Sequence, residues 1–281
     1  MKVLVTGSSG RIGGAIAARL TLNHQVTGLD LRPGALTGEV ADVEDTARLA
    51  ALLPGIDAVV HTASLHVPDL AARSREEFRA VNVDATRRLL EAAGSAGVGR
   101  FVYTSTTSLY GDAMLPANGA AAWVDESLSP RPRDIYDETK LEAEEACREA
   151  ARAGLACTSL RMSRCFPEEP RLVAIYRLYR GVDADDVAQA HELALAADGG
   201  GFEVYNVSAP SPFRRDDCRR LFEDAASVLL ERHPWAEAEF ASRAWQLPRS
   251  IDRVYVVDKA IARLGYRPRH DFAALFRRPA D

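Results

Sequence analysis

A glycine-rich turn near the start of the chain constrains the fold more than any other feature. Residues 2–6 form a short apolar run with strand character, and an Ala-, Ile- and Leu-rich helix is predicted to reach about Leu20. Between them stand Gly7, Gly10 and Gly13, spaced Gly-x-x-Gly-x-x-Gly. Glycine adopts a positive φ freely, and its missing side chain lets the backbone approach a pyrophosphate, which the helix N-terminus attracts. The turn therefore predicts a dinucleotide-binding site, the alternative being a strand–helix turn that holds no ligand.

Strands and helices continue to alternate after this turn. Predicted strands cover 25–30, 56–61, 100–105, 155–161 and 202–207, and predicted helices cover 43–53, 76–93, 136–153, 183–197 and 216–231. This alternation predicts an α/β fold, a doubly wound parallel sheet with helices on both faces. The rhythm changes after Arg161, where prolines interrupt the pattern. We expect a nucleotide-binding domain over 1–161, a sheet completed by 182–208, and a small substrate-binding cap formed by 162–181 and 209–281.

Composition and charge exclude several classes of protein. The 281 residues are 47% apolar and 27% charged, as in an ordinary globular chain, and the net charge of -5 offers no basic excess for nucleic acid or anionic lipid. The four cysteines form no Cys-x-x-Cys pair and lack histidines at zinc-ligand spacing, so we expect reduced thiols and no metal site. With no signal peptide and no apolar run of bilayer length, we expect a cytoplasmic location.

An acidic residue at the end of the second predicted strand bears on the choice of cofactor. Asp30 lies 17 residues after Gly13. A carboxylate at this place accepts hydrogen bonds from both hydroxyls of the adenosine ribose and repels a 2′-phosphate. Arg32 is the opposing signal, because a guanidinium pairs well with a phosphate. We expect NAD rather than NADP, although Asp30 is also compatible with a plain strand-end turn.

A tyrosine and a lysine at helical spacing supply candidate acid–base chemistry. Tyr136 and Lys140 stand at i and i+4 near the start of a predicted helix, so both side chains lie on one face. An adjacent ammonium lowers the pKa of a phenol, which can then exchange a proton with a substrate hydroxyl. Five hydroxyl residues at 104–108 follow a predicted strand, at the sheet edge where ligands bind. Taken alone, the pair would be an ordinary surface Tyr–Lys pair; together with the hydroxyls it indicates a reaction centre.

With these residues combined, the chain resembles the extended short-chain dehydrogenase/reductase family, in its NAD-dependent epimerase/dehydratase group. The matching segments extend along nearly the whole sequence. They are residues 6–13, Asp30, residues 41–43, 61–64, 81–83 and 103–111, Tyr136 with Lys140, and residues 160–161, 182–187, 205–208 and 264–268. The resemblance implies a Rossmann-type sheet with a small C-terminal substrate-binding subdomain, NAD, a sugar-like small-molecule substrate, and a homodimer formed through helices around 83–93 and 137–152.

The resemblance also implies a role for individual residues. Tyr136 matches the catalytic acid/base, Lys140 the lysine that binds the nicotinamide ribose, and Thr106 the catalytic Ser/Thr. Asp42 and Val43 match the pair that contacts adenine. The residues expected to bind the cofactor are Gly7, Ser9, Gly10, Arg11, Ile12, Gly13, Asp30, Arg32, Asp42, Val43, Thr62, Ala63, Asn82, Thr104, Tyr136, Lys140 and Met162. Those expected to contact the substrate are Ser64, Thr106, Thr107 and Arg164.

Two departures from the family pattern bear on the substrate. Thr107 and Ser108 stand where nucleotide-sugar dehydratases carry Asp-Glu, so we do not expect dehydratase chemistry. Arg164 replaces an asparagine common in nucleotide-sugar enzymes, and the segment from Arg161 to Asp185, which would cover a nucleotide diphosphate, is short. That region resembles uronate dehydrogenases, which act on sugars without a nucleotide. The arginines expected either to clamp a carboxylate or phosphate or to be plain surface residues are Arg164, Arg171, Arg177 and Arg180.

Three functions remain open on these grounds. The first is an NAD-dependent oxidoreductase that interconverts a hydroxyl and a carbonyl on a sugar-like substrate, with Tyr136 moving the proton. The second is a nucleotide-sugar epimerase of the UDP-glucose 4-epimerase type, which uses the same residues and returns the hydride to the other face. The third is a non-catalytic cofactor-sensing regulator, although such relatives commonly lack the tyrosine or the lysine. The short segment after Arg161 favours the first function.

Overall fold

The computed structural model describes residues 1–277 and has strands alternating with helices. The strands are β1 (Lys2–Thr6), β2 (Gln25–Asp30), β3 (Glu39–Val40), β4 (Ala58–His61), β5 (Arg100–Thr106), β6 (Ala122–Val124), β7 (Ala156–Met162), β8 (Phe202–Val207) and β9 (Arg253–Tyr255). The helices are α1 (Arg11–Leu20), α2 (Thr46–Leu52), α3 (Arg75–Arg79), α4 (Ala85–Ser95), α5 (Ile135–Arg152), α6 (Pro170–Arg177), α7 (Ala184–Ala196), α8 (Cys218–Arg232), α9 (Ala236–Ser242) and α10 (Asp258–Leu264). Across residues 1–277, the helices lack the length and apolar content that crossing a bilayer requires.

Seven of the strands form one parallel sheet in the order β3-β2-β1-β4-β5-β7-β8. The chain first builds outward from β1 to β3 and then returns, so that β4 pairs with the other side of β1. In sheets of this kind, ligands bind at the carboxyl ends of the strands where the strand order reverses. The predicted fold class, a doubly wound parallel sheet of the Rossmann type, is confirmed, and the reversal lies between β1 and β4.

Apolar side chains fill both faces of this sheet. On one face, α1, α7 and α10 cover residues such as Val3 and Val60; on the other, α2, α4 and α5 cover Leu4 and Phe101. Successive side chains of a strand point to opposite faces, so a strand that is covered twice needs apolar residues at every position. This explains why the central strands are continuous apolar runs in the sequence.

The helix predicted over 76–93 is found as α3 and α4, joined by one π-helical turn over Ala80–Asp84. A π turn inserts one extra residue into the helix and is frequent at functional sites. Asn82 lies inside this turn, and its side chain is buried against neighbouring elements. The periodicity of the sequence predicts the helix but not this local change of pitch.

The cap has its own apolar core and a small second sheet. Phe213 and Phe240 belong to that core, and β6 pairs in parallel with β9. Neither strand was predicted, because each has only three residues and its partner is distant in the chain. The domain bounds stay a prediction, and the last four residues of the cap expected over 209–281 lie outside the described residues. Ala260 and Tyr266 pack in the core of the main sheet, so α10 covers the nucleotide-binding sheet rather than the cap.

Candidate active site

The glycine turn brings the ends of β1 and β4 into contact. Gly7 has a φ of 73°, and a Cβ atom on it would lie 2.5 Å from Thr62 Oγ1 and 2.8 Å from the Ala63 nitrogen. A Cβ atom on Gly13 would collide with the Gly7 carbonyl and lie 2.7 Å from Thr62 Oγ1. Only glycine fits at either position, because real Cβ atoms do not approach other atoms so closely. The turn therefore forms the floor of a cleft at the reversal point of the sheet.

The N-terminus of α1 faces this cleft without a capping side chain. Gly10 occupies the N-cap position, and the first turn contains no acidic residue. Arg11, the first residue of the helix, is exposed, whereas Ile12 packs against the core. Helix N-terminal N–H groups and the helix dipole attract anions. The arrangement fits a pyrophosphate, as the sequence predicts for Gly10, Arg11 and Ile12.

Asp30 stands beside the glycine turn at the end of β2. Its carboxylate accepts hydrogen bonds from the Ser9 N–H at 2.9 Å and from the Arg32 N–H at 3.0 Å, one on each oxygen. The Ser9 hydroxyl donates to the Arg32 carbonyl at 2.6 Å. Each carboxylate oxygen retains a lone pair, so Asp30 can still accept from two ribose hydroxyls. The place and the free acceptors agree with the predicted role of Asp30.

The other residues predicted near the adenosine and along the cofactor mainly shape the cleft. Asp42 accepts a hydrogen bond from the Glu44 N–H at 2.9 Å, and the Val43 side chain is buried in the core. The Thr62 hydroxyl donates to the Thr6 carbonyl at 2.6 Å, and the Ala63 N–H donates to the Thr6 hydroxyl at 3.3 Å. The Val43 side chain packs in the core, and the adenine contact implied for Asp42 and Val43 stays a prediction.

The predicted catalytic residues meet at the carboxyl end of β5. Thr106 is the last residue of β5, and Tyr136 is the second residue of α5, whose N-cap is Asp134. The Thr106 hydroxyl lies close to the Tyr136 phenol. It also accepts from the Ser108 N–H at 3.1 Å, which holds its position. The phenol and an alcohol are thus side by side at the edge of the sheet where a substrate would bind.

Lys140 lies one turn further along α5 and is almost fully buried. Its ammonium donates to the Thr104 carbonyl at 2.7 Å and lies 4.2 Å from the centre of the Tyr103 ring. Burial lowers the pKa of Lys140 to about 7, and the nearby Glu144 carboxylate acts in the opposite direction. The ammonium is therefore poised between its charged and neutral forms close to neutral pH.

The predicted lowering of the Tyr136 pKa is wrong for this structure. Burial raises the pKa of Tyr136 to about 12, the hydrogen bond from Thr106 lowers it, and the carboxylates of Asp137 and Asp134 add to the increase. The Lys140 ammonium is instead engaged by the Thr104 carbonyl. The sequence shows the spacing of the two side chains, but the cost of removing a phenolate from water depends on the tertiary structure.

Asn82 and Ser64, predicted to touch cofactor and substrate, bind other parts of the protein. Asn82 accepts from the Leu65 N–H at 2.8 Å and from the Ser64 hydroxyl at 3.1 Å, and it donates to Thr139 Oγ1 at 3.1 Å. It thereby ties the loop after β4 to the catalytic helix α5. These hydrogen bonds position the loop against the helix, and the predicted contacts of Asn82 with the cofactor and of Ser64 with the substrate stay predictions.

Thr104 and Thr107 contact protein groups in the structure. The Thr104 hydroxyl contacts His191 Nε2 at 2.8 Å on α7, and its carbonyl holds Lys140. Thr107 begins a 3-10 turn directly after β5; it is buried, and its hydroxyl donates to the Met162 carbonyl at 3.5 Å. The contacts predicted for Thr104 with the cofactor and for Thr107 with the substrate stay predictions. Met162 is half-buried at the end of β7, where it was expected.

Of the four arginines expected either to clamp an anion or to be plain surface residues, two already have acidic partners. Arg164 pairs with Glu168, and the buried Arg177 pairs with Asp183 at 2.7 Å. Arg180 has no carboxylate within 4.0 Å among residues 1–277, and its guanidinium lies 4.4 Å from the centre of the Tyr176 ring. The backbone N–H of Arg164 donates to the Arg180 carbonyl at 3.0 Å, and the Arg164 guanidinium lies 5.5 Å from the centre of the same Tyr176 ring.

Sequence reasoning missed a buried histidine that links three elements. His61 Nδ1 accepts from the Thr6 hydroxyl at 2.7 Å, and Nε2 donates to Thr86 Oγ1 at 2.9 Å. Burial lowers the pKa of His61 to about 3. It also missed Asp137, next to Tyr136, whose Oδ1 is buried without a partner in the described part of the chain. Neither residue has a spacing signal, because its partners come from separate strands and helices.

A cavity of about 240 Å³ lies in the cap, away from these residues. Its lining includes Trp123, Phe213, Arg214, Tyr255 and Asp258. None of the three predicted catalytic side chains lines it. The candidate active site is therefore the open cleft at the ends of β1, β4, β5 and β7, and not this cavity.

Known proteins similar to this chain include dehydrogenases and epimerases. The 3-beta-hydroxysteroid dehydrogenase of Mycolicibacterium neoaurum is 36% identical over 156 residues, which are 51% of this chain and 41% of that protein. The UDP-glucose 4-epimerase of Erwinia amylovora is 26% identical over 327 residues, covering 90% of this chain and 95% of that protein. The crystal structure of a short-chain dehydrogenase/reductase superfamily protein from Agrobacterium tumefaciens with bound NAD has a TM-score of 0.72 and 25% identity, and covers 98% of this chain and 94% of that one.

The family match agrees with the site geometry. The sequence model described as the NAD dependent epimerase/dehydratase family matches residues 3–172, which include the glycine turn, Asp30, Thr106, Tyr136 and Lys140. This chain spans about half the length, or less, of the curated relatives it matches first. The matched range nevertheless covers more than half of the 281 residues. The predicted family is confirmed: this chain belongs to the NAD dependent epimerase/dehydratase family.

Proposed function

We propose that this protein is an NAD-dependent oxidoreductase that interconverts a hydroxyl and a carbonyl on a sugar-like substrate. The observation that carries the proposal is the meeting of Thr106, Tyr136 and Lys140 at the carboxyl end of β5, beside the glycine-turn cleft. Thr106 lies on β5, whereas Tyr136 and Lys140 lie on successive turns of α5. A purely structural role does not require these three side chains to meet at the edge of the sheet where ligands bind.

Thr106, Tyr136 and Lys140 have different roles in the proposed reaction. The Thr106 hydroxyl holds the substrate oxygen beside Tyr136, and the Tyr136 phenol accepts or donates the proton of that oxygen. Lys140, held by Thr104, presents its ammonium to the cofactor ribose and supports the phenolate when it forms. NAD, when bound, supplies the hydride acceptor.

The residues present fit NAD. The bare N-terminus of α1 accommodates the pyrophosphate, and no side chain of Gly7 or Gly13 obstructs it. Asp30 offers free acceptor positions to the ribose hydroxyls, and its charge opposes a 2′-phosphate. NAD is accordingly the proposed cofactor, as in the Agrobacterium tumefaciens protein of similar fold.

Two observations support a substrate without a nucleotide. Thr107 and Ser108 provide no acid–base pair for elimination of water, and only seven residues separate Met162 from α6. Arg180, which lacks an acidic partner in the described range, offers its guanidinium to a carboxylate or phosphate of a small sugar acid or sugar phosphate. A nucleotide-sugar epimerase is the second candidate, because the Erwinia amylovora epimerase aligns over 90% of this chain.

A substrate panel tests the proposal. The purified protein is incubated with NAD and, separately, free uronates, aldoses, a 3β-hydroxysteroid and UDP-glucose, while NADH absorbance and product composition are followed. Net NADH with a free sugar supports the oxidoreductase. Conversion of UDP-glucose without net NADH supports the epimerase. NADH binding without turnover on any compound supports the sensing regulator, which the intact Tyr136–Lys140 arrangement otherwise disfavours. Turnover of the steroid alone would contradict a sugar-like substrate.

We also propose a cytoplasmic homodimer. All four cysteines are free and buried, as is common in a reducing compartment. The outer faces of α4 and α5 are the proposed interface, and within one chain Arg87 on α4 pairs with Glu149 on α5 at 3.2 Å. Light scattering should give the mass of a dimer, and a monomer mass would contradict this proposal.

A further inference from the structure

A buried ion pair lies one helical turn beyond Lys140. Glu144 accepts hydrogen bonds from Arg161 Nη2 at 2.6 Å, from Arg161 Nε at 3.0 Å and from the Ser159 hydroxyl at 2.8 Å. Only 3% of the Glu144 side chain and 6% of the Arg161 side chain are exposed. Burying such a pair costs desolvation energy that the attraction between the charges often does not recover. The gain in stability is therefore a weak reason for placing these charges in the core.

Arg161 is held from its other side by the sheet and the cap. Its guanidinium lies 4.9 Å from the centre of the Tyr110 ring, and the Tyr110 hydroxyl donates to Asn206 Oδ1 at 2.8 Å. Asn206 in turn donates to the Val124 carbonyl of β6 at 3.1 Å. Because these contacts fix Arg161, they also fix the Glu144 carboxylate that is hydrogen-bonded to it.

The spacing of four residues places Glu144 and Lys140 on one face of α5. The polar and charged groups around the Lys140 ammonium are the Tyr136 phenol, the Glu144 carboxylate and the Cys147 thiol on α5, the Tyr103 ring and Thr104 carbonyl on β5, and His61 on β4. In that set, drawn from residues 1–277, Glu144 is the one carboxylate. Its charge raises the pKa of Lys140, against the burial that lowers it.

We propose that Glu144 is a positioning residue of the active site: its carboxylate, fixed by Arg161, keeps the Lys140 ammonium charged and directed at the cleft. The inference rests on the proposed function, because a charged Lys140 matters only if it meets a cofactor ribose and the phenol of Tyr136. Glu144 is the member of the ion pair that acts on Lys140, because it is one helical turn away, whereas Arg161 lies beyond Glu144 on β7.

The test measures NADH affinity by fluorescence across the pH range around neutrality. The first variant is Glu144→Gln, which removes the charge at constant size but leaves Arg161 without its partner. The second is the double variant Glu144→Leu/Arg161→Met, which replaces the whole pair by apolar side chains and is expected to fold well. Lys140→Met identifies which part of the pH dependence belongs to the lysine. Glu149→Gln, an exposed residue on the same helix, is the matched control.

In the wild type, NADH affinity should fall as the pH rises through the pKa of Lys140, and Lys140→Met should abolish this fall. In both Glu144 variants, this loss of NADH affinity should occur at a pH roughly one unit lower. At a fixed pH above its midpoint, the variants should therefore bind NADH up to about tenfold more weakly than the wild type. Glu149→Gln should leave the fall unchanged. If the double variant keeps the wild-type melting temperature and its NADH affinity falls at the same pH as in the wild type, the proposed role of Glu144 is overturned and the proposed function is not. Absence of NADH binding by the wild type would overturn both proposals.

Discussion

The Thr104 carbonyl accepts a hydrogen bond of 2.7 Å from the Lys140 ammonium, and this contact ties the catalytic helix α5 to strand β5. The same strand carries Thr106 two residues later, at the point where the sheet ends. One strand therefore sets the position of the lysine through its backbone and of the substrate oxygen through a side chain. Because β5 is buried between two helical layers, the site has little freedom to shift.

Replacing Tyr136 by phenylalanine should remove catalysis and keep the cofactor. General acid–base groups contribute about a hundredfold to ten-thousandfold to rate, so we expect turnover to fall by about a thousandfold. The ring keeps its packing, so the NADH Kd should change by less than about threefold. Steady-state rates on the substrate found in the panel and NADH fluorescence measure the two effects. Turnover within tenfold of wild type would remove Tyr136 from the mechanism.

Replacing Lys140 by methionine should stabilise the fold while it damages the site. In the unfolded chain the lysine stays charged to about pH 10.4, whereas burial lowers the folded-state pKa to about 7. The buried ammonium therefore lowers the free energy of unfolding at and below about pH 7, and this destabilisation disappears as the pH rises toward 10. The two pKa values correspond to a penalty of about 4 kcal/mol at about pH 7, and losing the hydrogen bond to the Thr104 carbonyl offsets part of it. Urea unfolding at about pH 7 should therefore show a free energy of unfolding roughly 2 to 4 kcal/mol higher for Lys140→Met. The difference should shrink at about pH 9; a constant difference would contradict the burial argument.

Replacing Gly13 by alanine should abolish the cofactor cleft. The added methyl group would collide with the Gly7 carbonyl and approach Thr62, so the turn must open. We expect NADH affinity to fall by more than about tenfold, because the pyrophosphate position moves relative to the N-terminus of α1. Gly14→Ala is the matched control, since its methyl group would lie 3.3 Å from the Ser8 carbonyl, a contact that small shifts relieve. Equal affinities in the two variants would show that the cleft is not the binding site.

Replacing Asp30 by alanine should reduce the discrimination between the two nicotinamide cofactors. The wild type should bind NADH at least about tenfold more tightly than NADPH, since the carboxylate repels a 2′-phosphate. In Asp30→Ala, NADH should bind more weakly and NADPH more tightly, because the neighbouring Arg32 then faces the phosphate without a competing charge. Fluorescence titration with both cofactors measures the ratio. A wild-type preference for NADPH would contradict the proposed cofactor.

The buried histidines should make the protein sensitive to acid. Burial lowers the pKa of His61 to about 3 and that of His191 to about 4, both from 6.5. Between about pH 6.5 and 4 the unfolded chain binds protons that the folded chain does not, so stability falls by about 1.4 kcal/mol per pH unit for each histidine. His191→Gln should make the free energy of unfolding less dependent on pH by the contribution of this one histidine, as measured by urea unfolding at several pH values. The exposed His66→Gln serves as the control, and equal slopes for wild type and His191→Gln would contradict the prediction.

Much of the fold and of the candidate site could be predicted from the sequence because the signals are local. The strand bounds of 2–6, 25–30 and 202–207 agree with the structure. The first is a continuous apolar run because a central strand is covered on both faces. The glycine spacing and the i, i+4 spacing of Tyr136 and Lys140 are likewise visible in short stretches. The three catalytic candidates and the cleft were therefore identifiable before any tertiary contact was known.

What the sequence by itself determined is the order of strands and helices, the glycine turn and the choice of residues proposed for the reaction centre. Only the tertiary structure decided which side chains face the cleft and how they titrate. It turned Thr107, Asn82 and Val43 toward protein neighbours, and it raised the pKa of Tyr136 instead of lowering it. The physical reason is that desolvation and hydrogen bonding depend on atoms brought together from distant parts of the chain, and residue spacing does not encode them.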